Sequence, residues 1–202
     1  MMKNLRLTLV ILLAIVATTA VARPKHSGSM ANQWHFGLKA GTLISTIISN
    51  TPDDPIESVA GFTGGLFAEY DALSWLSPSV EVLYAMQGGK AVGGSDLVVE
   101  GDYISVPILA NFYVVRGLAL KVGVQPSFLV AGKLSDPQQI IEVPGMLNTF
   151  DLVIPIGVSY TCNFGLVIDA RVNFGTINLL KDVPSTDNGT SFSTAITLGW
   201  KF

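Results

Sequence analysis

The chain has 202 residues, a formal net charge of −3 and a single cysteine. Only 13% of its residues are charged and its mean hydropathy is +0.49, which is unusually apolar for a soluble domain. The weakly acidic charge argues against nucleic acid as a partner, and one cysteine, Cys162, excludes an intramolecular disulfide.

The first residues have the three parts of a secretory signal. Lys3 and Arg6 form the charged start, residues 7–16 the apolar run, and residues 20–22 a small-residue cleavage site. We therefore expect a signal peptide at residues 1–22 and a short periplasmic tail at 23–33. Neither this run nor any later stretch reaches the roughly 20 apolar residues of a spanning helix. The high hydropathy therefore needs another explanation.

Residues 34–202 alternate apolar and polar side chains in runs of about ten. Eight runs are candidate strands: Trp34–Ile44, Phe62–Tyr70, Leu76–Gln87, Tyr103–Val114, Leu118–Phe128, Thr149–Tyr160, Phe164–Gly175 and Ser191–Phe202. Transmembrane β-strands have about 9 to 11 residues, with one face toward lipid and the other inward. Only a closed sheet leaves no unpaired edge in hydrocarbon. The pattern therefore predicts an all-β fold, an eight-stranded antiparallel up-and-down transmembrane β-barrel.

The connections between these runs alternate between short and long. The short ones are residues 71–75, 115–117 and 161–163, and the long ones lie near residues 45–61, 88–102, 129–148 and 176–190. In outer-membrane barrels the short turns face the periplasm and the long loops face outward. We therefore expect an integral, multi-pass barrel in the cell outer membrane with both termini on the periplasmic rim.

Eight charged residues fall on the predicted inward face. They are Lys39, Glu69, Glu81, Lys121, Asp151, Asp169, Arg171 and Lys201. The four cations balance the four anions, and an unpaired ion in a narrow lumen would be costly. Since eight strands enclose just enough space for side chains, we expect a structural ion-pair network that fills the lumen and leaves no pore.

Two further residue classes mark the predicted strands. Aromatic residues near strand ends are candidates for interfacial girdles: Trp34, Phe36, Tyr70, Trp75, Tyr84, Tyr160, Phe164, Trp200 and Phe202. Pro107 and Pro155 lie at inward positions, where the missing donor predicts a bulge or a position near a rim.

Catalytic chemistry has little support in the sequence. His26 lies in the tail, and His35 is predicted at the periplasmic end of the lumen, so neither is placed as a base for an outer site. A buried acid–base group around Asp169 and Arg171 stays open as an alternative, although such clusters are more often structural. Acidic residues 53–57 lack the spacing of a calcium loop. We predict no catalytic residue, no metal site and no cofactor.

Several short motifs recur at the expected places in the strands. They are Gly37-Leu-Lys-Ala-Gly41, Gly61-Phe-Thr-Gly-Gly65 with Glu69, Glu81-Val-Leu-Tyr84 with Gly88, Tyr103-Ile-Ser-Val-Pro107 and Leu198-Gly-Trp-Lys-Phe202. Through them the mature chain resembles the PorT-like small outer-membrane β-barrel proteins of Gram-negative bacteria, with a broader likeness to the OmpA-type barrel. The resemblance implies no common activity. It also implies that Trp200 and Phe202 belong to a C-terminal signal for the barrel-assembly machinery.

The expected function is that of a structural, surface-binding or secretion-associated component with a filled lumen. Its expected partners are outer-membrane lipid, the barrel-assembly machinery and an unidentified envelope or extracellular protein. The apolar loop residues within 88–102 and 129–148 either extend the strands or form a binding surface. The alternatives are an outer-membrane enzyme, a lipid- or ligand-binding barrel, and a soluble secreted barrel, which would need the reverse polarity.

Overall fold

The computed structural model describes residues 32–49, 56–91, 98–135, 140–142, 148–178 and 189–202. The predicted signal peptide, most of the predicted tail and the middle of each predicted long loop lie outside these residues. In the described part of the chain, no helix is both long enough and apolar enough to span a membrane.

The described residues form ten strands in one antiparallel sheet. The strands are β1 (Gln33–Ser49), β2 (Ile56–Asp71), β3 (Leu76–Ala91), β4 (Val98–Ser105), β5 (Ile108–Val115), β6 (Leu118–Ser135), β7 (Ile140–Glu142), β8 (Phe150–Thr161), β9 (Leu166–Asn178) and β10 (Gly189–Lys201). β4 and β5 have one register against β3, and the ends that face each other, Ser105 and Ile108, have one register against β6, so they are two halves of one wall strand. Because β7 pairs with β6 alone in the described residues, the wall has eight strands.

The sheet closes because β1 pairs with both β2 and β10, while β2 also pairs with β3. A row of paired residues that starts at His35 passes through Leu109 on β5 and Asn173 on β9 and returns to β1 at Ser45, ten residues further along. Ten residues of about 3.3 Å, spread over eight strands about 4.8 Å apart, give a strand tilt of about 40°, as in other closed barrels. The predicted eight-stranded antiparallel barrel is confirmed.

Side chains alternate between the two faces of the wall as the sequence predicts. On β9, Asp169 and Arg171 are buried in the lumen, whereas Ile168 and Phe174 are each 43% exposed on the outside. The same outward apolar set continues around the barrel: Val80, Val82, Ile108, Phe112, Leu120, Val122, Val124, Ile154, Ile156, Val158, Ile196 and Leu198. This band is the surface that lipid covers.

Aromatic side chains form a belt at each end of this apolar band. The turn-side belt contains the neighbouring pairs Trp34–Phe36, Trp34–Tyr70, Trp75–Phe112 and Phe164–Trp200, and the loop-side belt contains Phe128–Phe150 and Phe174–Phe192. Phe192 and Trp200 are eight residues apart on β10. At the tilt above, this separation corresponds to about 20 Å along the membrane normal, close to the roughly 25 Å apolar band of such barrels.

Tyr84 and Phe164 lie near the loop-side and turn-side belts respectively. Tyr84 is opposite Ile104, and Ile104 is paired with Phe128 of the loop-side belt. Phe164 lies in the turn before β9, where Gly165 adopts a φ of +102° and donates to the carbonyl of Cys162 at 3.0 Å. The left-handed glycine ends the turn, and β9 therefore begins at Leu166 rather than at Phe164.

The strands extend well beyond their predicted loop-side ends. β6 continues to Ser135, β4 begins at Val98 and β1 continues to Ser49. Much of the first three predicted long loops is therefore paired strand. Backbone pairing needs no lipid on either side, so it continues where the alternation of side chains fades.

Pro107 and Pro155 affect the wall differently. Pro107 lies at the break between β4 and β5, as expected of a residue without a backbone donor, while its carbonyl still accepts from Glu81 N at 2.9 Å. At Pro155 the predicted bulge or rim position is wrong, because β8 has the same register against β6 on both sides of it and the proline lies in the middle of the strand. A missing donor removes hydrogen bonds without inserting a residue, so the ladder resumes unchanged.

Candidate functional site in the barrel lumen

A cluster of charged side chains lies at mid-height in the lumen. Its members, here called the central cluster, are Lys39 on β1, Glu81 on β3, Lys121 on β6, and Asp169 and Arg171 on β9. These four strands are every second strand around the wall. The cluster is therefore a layer assembled from the whole circumference, as the inward alternation of a small tilted barrel requires.

Glu81 joins all three cations of the central cluster. Arg171 donates to its two carboxylate oxygens through two terminal nitrogens, each at 3.0 Å. The Lys39 ammonium lies 2.6 Å from Glu81 Oε2 and the Lys121 ammonium 3.5 Å from Oε1. The paired contact with the guanidinium fixes both planar groups.

Asp169 contacts the same three cations from β9. Lys121 Nζ lies 2.6 Å from Asp169 Oδ2 and Lys39 Nζ lies 3.8 Å from the same oxygen. Arg171 Nε donates to Asp169 Oδ1 at 3.1 Å. Each carboxylate is thus shared among three cations. Among the described residues the cluster has three positive and two negative charges.

A second group of ionic contacts lies on the turn side of the central cluster. Lys201 Nζ lies 2.6 Å from Glu69 Oε1, and the Tyr113 hydroxyl donates to the same oxygen at 2.7 Å. Next to this pair, His35 Nε2 is 2.9 Å from Asp71 Oδ2. All these side chains are at least partly buried.

Several polar contacts on the loop side join uncharged side chains. Ser105 and Ser127 share a hydrogen bond of 2.8 Å, and Asn173 Nδ2 donates to Ser193 at 3.1 Å. Buried carboxylates also occur there, among them Asp151, whose Oδ2 accepts from the Ser191 hydroxyl at 2.7 Å.

The structure thus links seven of the eight predicted lumen charges, within its described residues, into the central cluster and the Glu69–Lys201 pair. Asp151 has no ion-pair partner among the described side chains, which differs from the predicted network. It lies too far toward the loop side to reach the central cations.

Sequence reasoning missed two buried carboxylates. Asp71 follows Glu69 at the inward spacing of two, and this signal was available, but the residue was assigned to the adjoining turn. Asp102 is buried where the register between β4 and β6 shifts, so strict alternation could not have placed it.

Two small cavities flank the central cluster. The turn-side cavity is lined by carboxylates Glu69, Glu81 and Asp169 along with Lys39 and Lys121. The loop-side cavity is lined by Lys39, Leu43, Thr63, Leu83, Ala85, Gln87, Ser105, Gln125, Arg171, Asn173, Ala195 and Thr197. Each has room for no more than one or two water molecules.

The site offers little for catalysis in the part of the chain that the structure describes. No group of three or more His, Cys, Asp or Glu residues there could hold a metal ion. Ser77 donates to Asp71 Oδ1 at 3.1 Å, while His35 contacts the other oxygen of the same carboxylate. The carboxylate thus lies between hydroxyl and imidazole, whereas a hydrolytic triad needs the imidazole in the middle.

Trp200 and Phe202, the predicted assembly signal, lie at the turn-side end of the wall. Trp200 contacts Phe164 within the turn-side belt, and Phe202 N donates to the carbonyl of Phe36 on β1 at 2.8 Å. These contacts place them at the seam between the first and last strands. Their role as a signal stays a prediction.

The sequence and the fold were compared with known proteins. The family model described as outer membrane protein beta-barrel domain matches residues 23–181. A search of curated proteins found no match.

Two bacterial proteins are among the solved structures with a similar fold. The attachment invasion locus protein Ail of Yersinia pestis has a TM-score of 0.53 and 15% identity, with 86% of this chain and 100% of that chain covered. Neisserial surface protein A has a TM-score of 0.53 and 17% identity, with 84% of this chain and 97% of that chain covered. At these identities the likeness concerns the fold. The match to PorT-like proteins in particular stays a prediction.

Proposed function

Since the chain belongs to the outer membrane protein β-barrel domain family and is an integral outer-membrane barrel, we propose that it is a non-conducting scaffold that binds partners through its loop side. One observation carries the first half of this proposal. The central cluster joins alternate strands around the wall at mid-height.

A passing ion would have to break these contacts. Glu81 and Asp169 are each held by three cations, and both are almost completely buried. Separating buried partners leaves uncompensated charge in a poorly hydrated space, which costs several kcal/mol per ion. The flanking cavities are too small for a continuous column of water.

Single-channel recording in planar bilayers tests the closed lumen. The refolded full chain should give no stepwise conductance, while a general porin in the same bilayer serves as the positive control. A double variant, Lys39→Ala with Arg171→Ala, should conduct if it remains folded, as judged by heat-dependent gel migration. Stepwise conductance by the unmodified protein would overturn the non-conducting proposal.

The second half of the proposal is supported by the height of the wall on the loop side. β6 continues from Phe128, in the loop-side belt, to Ser135, and its last residues pair with β4 on one side and with β7 on the other. We call these paired segments, residues 98–101, 131–135 and 140–142, the loop-side ribbon. Seven residues of strand correspond to about 23 Å of paired backbone beyond the belt.

A hydrogen-bonded ribbon of this kind presents a preorganised surface, which lowers the entropic cost of binding. β7 pairs with β6 alone among the described strands, so its other edge is a place where a partner strand could add. The solved Ail protein is described as an attachment invasion locus protein. We therefore test attachment before a secretion-associated role.

The ribbon can be shortened without touching the membrane band. Lys133 and Glu142 are paired across β6 and β7, so residues 134–141 can be replaced by Asn-Gly, which favours a two-residue hairpin turn. Cells that display the full chain should adhere to a host-cell or extracellular-matrix surface, and cells with the shortened chain should lose this adherence. Equal adherence of both, with both barrels folded, would contradict binding through the ribbon.

The enzymatic alternative is weaker than the scaffold. His35, Asp71 and Ser77 do not have the order that proton transfer from the hydroxyl to the imidazole requires. The central cluster consists of mutually paired groups, which is typical of structural networks.

A further inference from the structure

We infer that the lumen binds one small monovalent anion, such as chloride, on the loop side of the central cluster, between Lys39, Arg171 and Thr197. This inference is independent of the proposed function. It rests on the charge of the cluster, the lining of one cavity and the donors that point into it.

The charge of the central cluster is the first observation. Three cations share two carboxylates among the described residues, which leaves one positive charge. The nearest carboxylate on the turn side, Glu69, is already neutralised by Lys201. Asp151 is six residues along β8 from Gly157, the residue paired with Arg171, and is therefore about 20 Å away along the strand. Buried charge of one sign is costly unless a counter-charge is close.

The second observation is that the charged side chains lining the two cavities differ in sign. Three carboxylates line the turn-side cavity. The loop-side cavity is lined by Lys39 and Arg171, with uncharged side chains around them and no carboxylate among the described residues. Its size suits a single monatomic ion and excludes sulfate or a nucleotide.

The third observation is a set of buried donors that are not fully paired. The Lys39 ammonium has Glu81 Oε2 at 2.6 Å on one side, and its other N–H groups have no hydrogen-bond partner within the described part of the chain. The Thr197 hydroxyl also has no partner there. Both residues are 3% exposed and both line the loop-side cavity. Buried donors of this kind call for an acceptor.

Asn173, which also lines the loop-side cavity, can supply a further donor. Its Oδ1 has no partner among the described residues, while its Nδ2 donates to Ser193 Oγ. A flipped amide would let the Ser193 hydroxyl donate to Oδ1 and turn Nδ2 into the cavity, since a hydroxyl both donates and accepts. The cavity would then present three kinds of donor: an ammonium, a hydroxyl and an amide.

The cluster could instead reach neutrality by loss of one proton from Lys39, with water in the cavity. The two arrangements differ in their response to halide. An anion site predicts halide-specific occupancy and stabilisation, whereas a neutral Lys39 predicts neither.

Anomalous diffraction from crystals of the full chain soaked in sodium bromide gives the direct test. We expect a bromide peak within hydrogen-bonding distance of Lys39 Nζ and Thr197 Oγ. Bromide only on the outer surface, or a lumen peak that persists in Lys39→Met as an adventitious ion only, would overturn the inference.

Unfolding in lipid vesicles provides an independent test in solution. Chloride or bromide should raise the unfolding midpoint in a saturable way compared with gluconate at equal ionic strength. Lys39→Met should abolish this dependence, and Thr197→Val should raise the half-saturating halide concentration several-fold. Thr42→Val, the same change on the lipid face of β1, should leave it unaltered. No halide dependence in the unmodified chain, or the same dependence in Lys39→Met, would show that the site does not exist.

Discussion

Glu81 contacts all three cations of the central cluster, as Asp169 does, and it alone accepts from Arg171 through two terminal nitrogens on two separate oxygens. Glu81→Gln keeps the size of the side chain but leaves three cations with one carboxylate. Loss of one partner from a buried ionic group costs about 3–5 kcal/mol. We expect a loss of that size in the free energy of unfolding, measured by urea titration in lipid vesicles.

Glu69→Gln is the matched control for this change. Glu69 pairs with Lys201, which lies at the turn-side end of β10 and is partly exposed, so its ammonium can reach water when the pair is lost. We expect a smaller loss of stability in this variant. Equal losses of unfolding free energy would mean that the central cluster contributes no more to stability than the Glu69–Lys201 pair.

The outer face can be tested with a single charge at two depths. Val122 is 41% exposed near the middle of the apolar band, whereas Val115 is 61% exposed at the turn-side end of β5. Arginine at mid-membrane costs about 2–4 kcal/mol and about 0–1 kcal/mol near an interface. Val122→Arg should therefore lower the free energy of unfolding in vesicles much more than Val115→Arg. A reversed order would contradict the position assigned to the membrane.

At the residue scale, the sequence alone predicts which side chains face inward but not which of them meet. Alternation places Lys39 and Glu81 in the lumen, because lipid tolerates neither. Their contact depends on the stagger of ten residues around the wall, which no local pattern contains. The same limit explains the difference at Asp151, whose inward direction was predicted while its height in the lumen was not.

At the scale of the strands, the glycines of β2 control how closely it approaches β3. A Cβ on Gly65 would overlap the carbonyl oxygen of Val82 and lie 2.9 Å from Leu83 Cα, both backbone atoms. Gly65→Ala should therefore force the strands apart and destabilise the barrel by about 1–3 kcal/mol. The yield of heat-modifiable barrel on refolding and a urea titration measure this loss.

The adjacent glycine provides the control. A Cβ on Gly64 would lie 3.1 Å from the ring of Phe62 and 3.3 Å from Ala40 Cβ, which are side-chain atoms, and 3.3 Å from Lys39 O. A small adjustment accommodates it, so Gly64→Ala should be mild. If the two variants lost stability equally, the close approach of β2 and β3 would not be the reason for glycine at 65.

Strand positions were well predicted and strand ends were not. Within the membrane, each outward residue faces lipid and each inward residue faces the polar lumen. The alternation is therefore strong, and the predicted runs coincide with the wall. Beyond the loop-side belt this constraint ends, and β6 continues to Ser135 through residues that the sequence assigned to a loop. The interruption at Pro107 was predictable because the residue lacks a donor. The unbroken register at Pro155 was not, since it depends on pairs to either side.

At the scale of the molecule, closure and charge are both collective properties. The sequence predicted eight charges that cancel over the whole lumen. The structure separates them by height, so that the local balance at the central cluster is three to two among the described residues. A global count therefore concealed the excess cation on which the inferred anion site depends.

Closure itself is tested by a covalent link between the first and last strands. Thr42 on β1 and Ile196 on β10 are paired and both point outward, and residues in such pairs have Cα atoms about 4.5–5.5 Å apart, within reach of a disulfide. In a Cys162→Ser background, Thr42→Cys with Ile196→Cys should oxidise in the folded barrel. After boiling without reductant, the chain should then migrate as a closed loop of most of the sequence.

Thr42→Cys with Ile156→Cys is the matched control, because both residues face outward but β1 and β8 are not neighbours in the wall. It should not form an intramolecular link. In an open sheet neither pair would link, since β1 and β10 would then be free edges exposed to lipid. Lys39 on β1 and Arg171 on β9 can both reach Glu81 only if β10 pairs with β1. Failure of the disulfide between positions 42 and 196 to form would therefore also contradict the geometry of the central cluster.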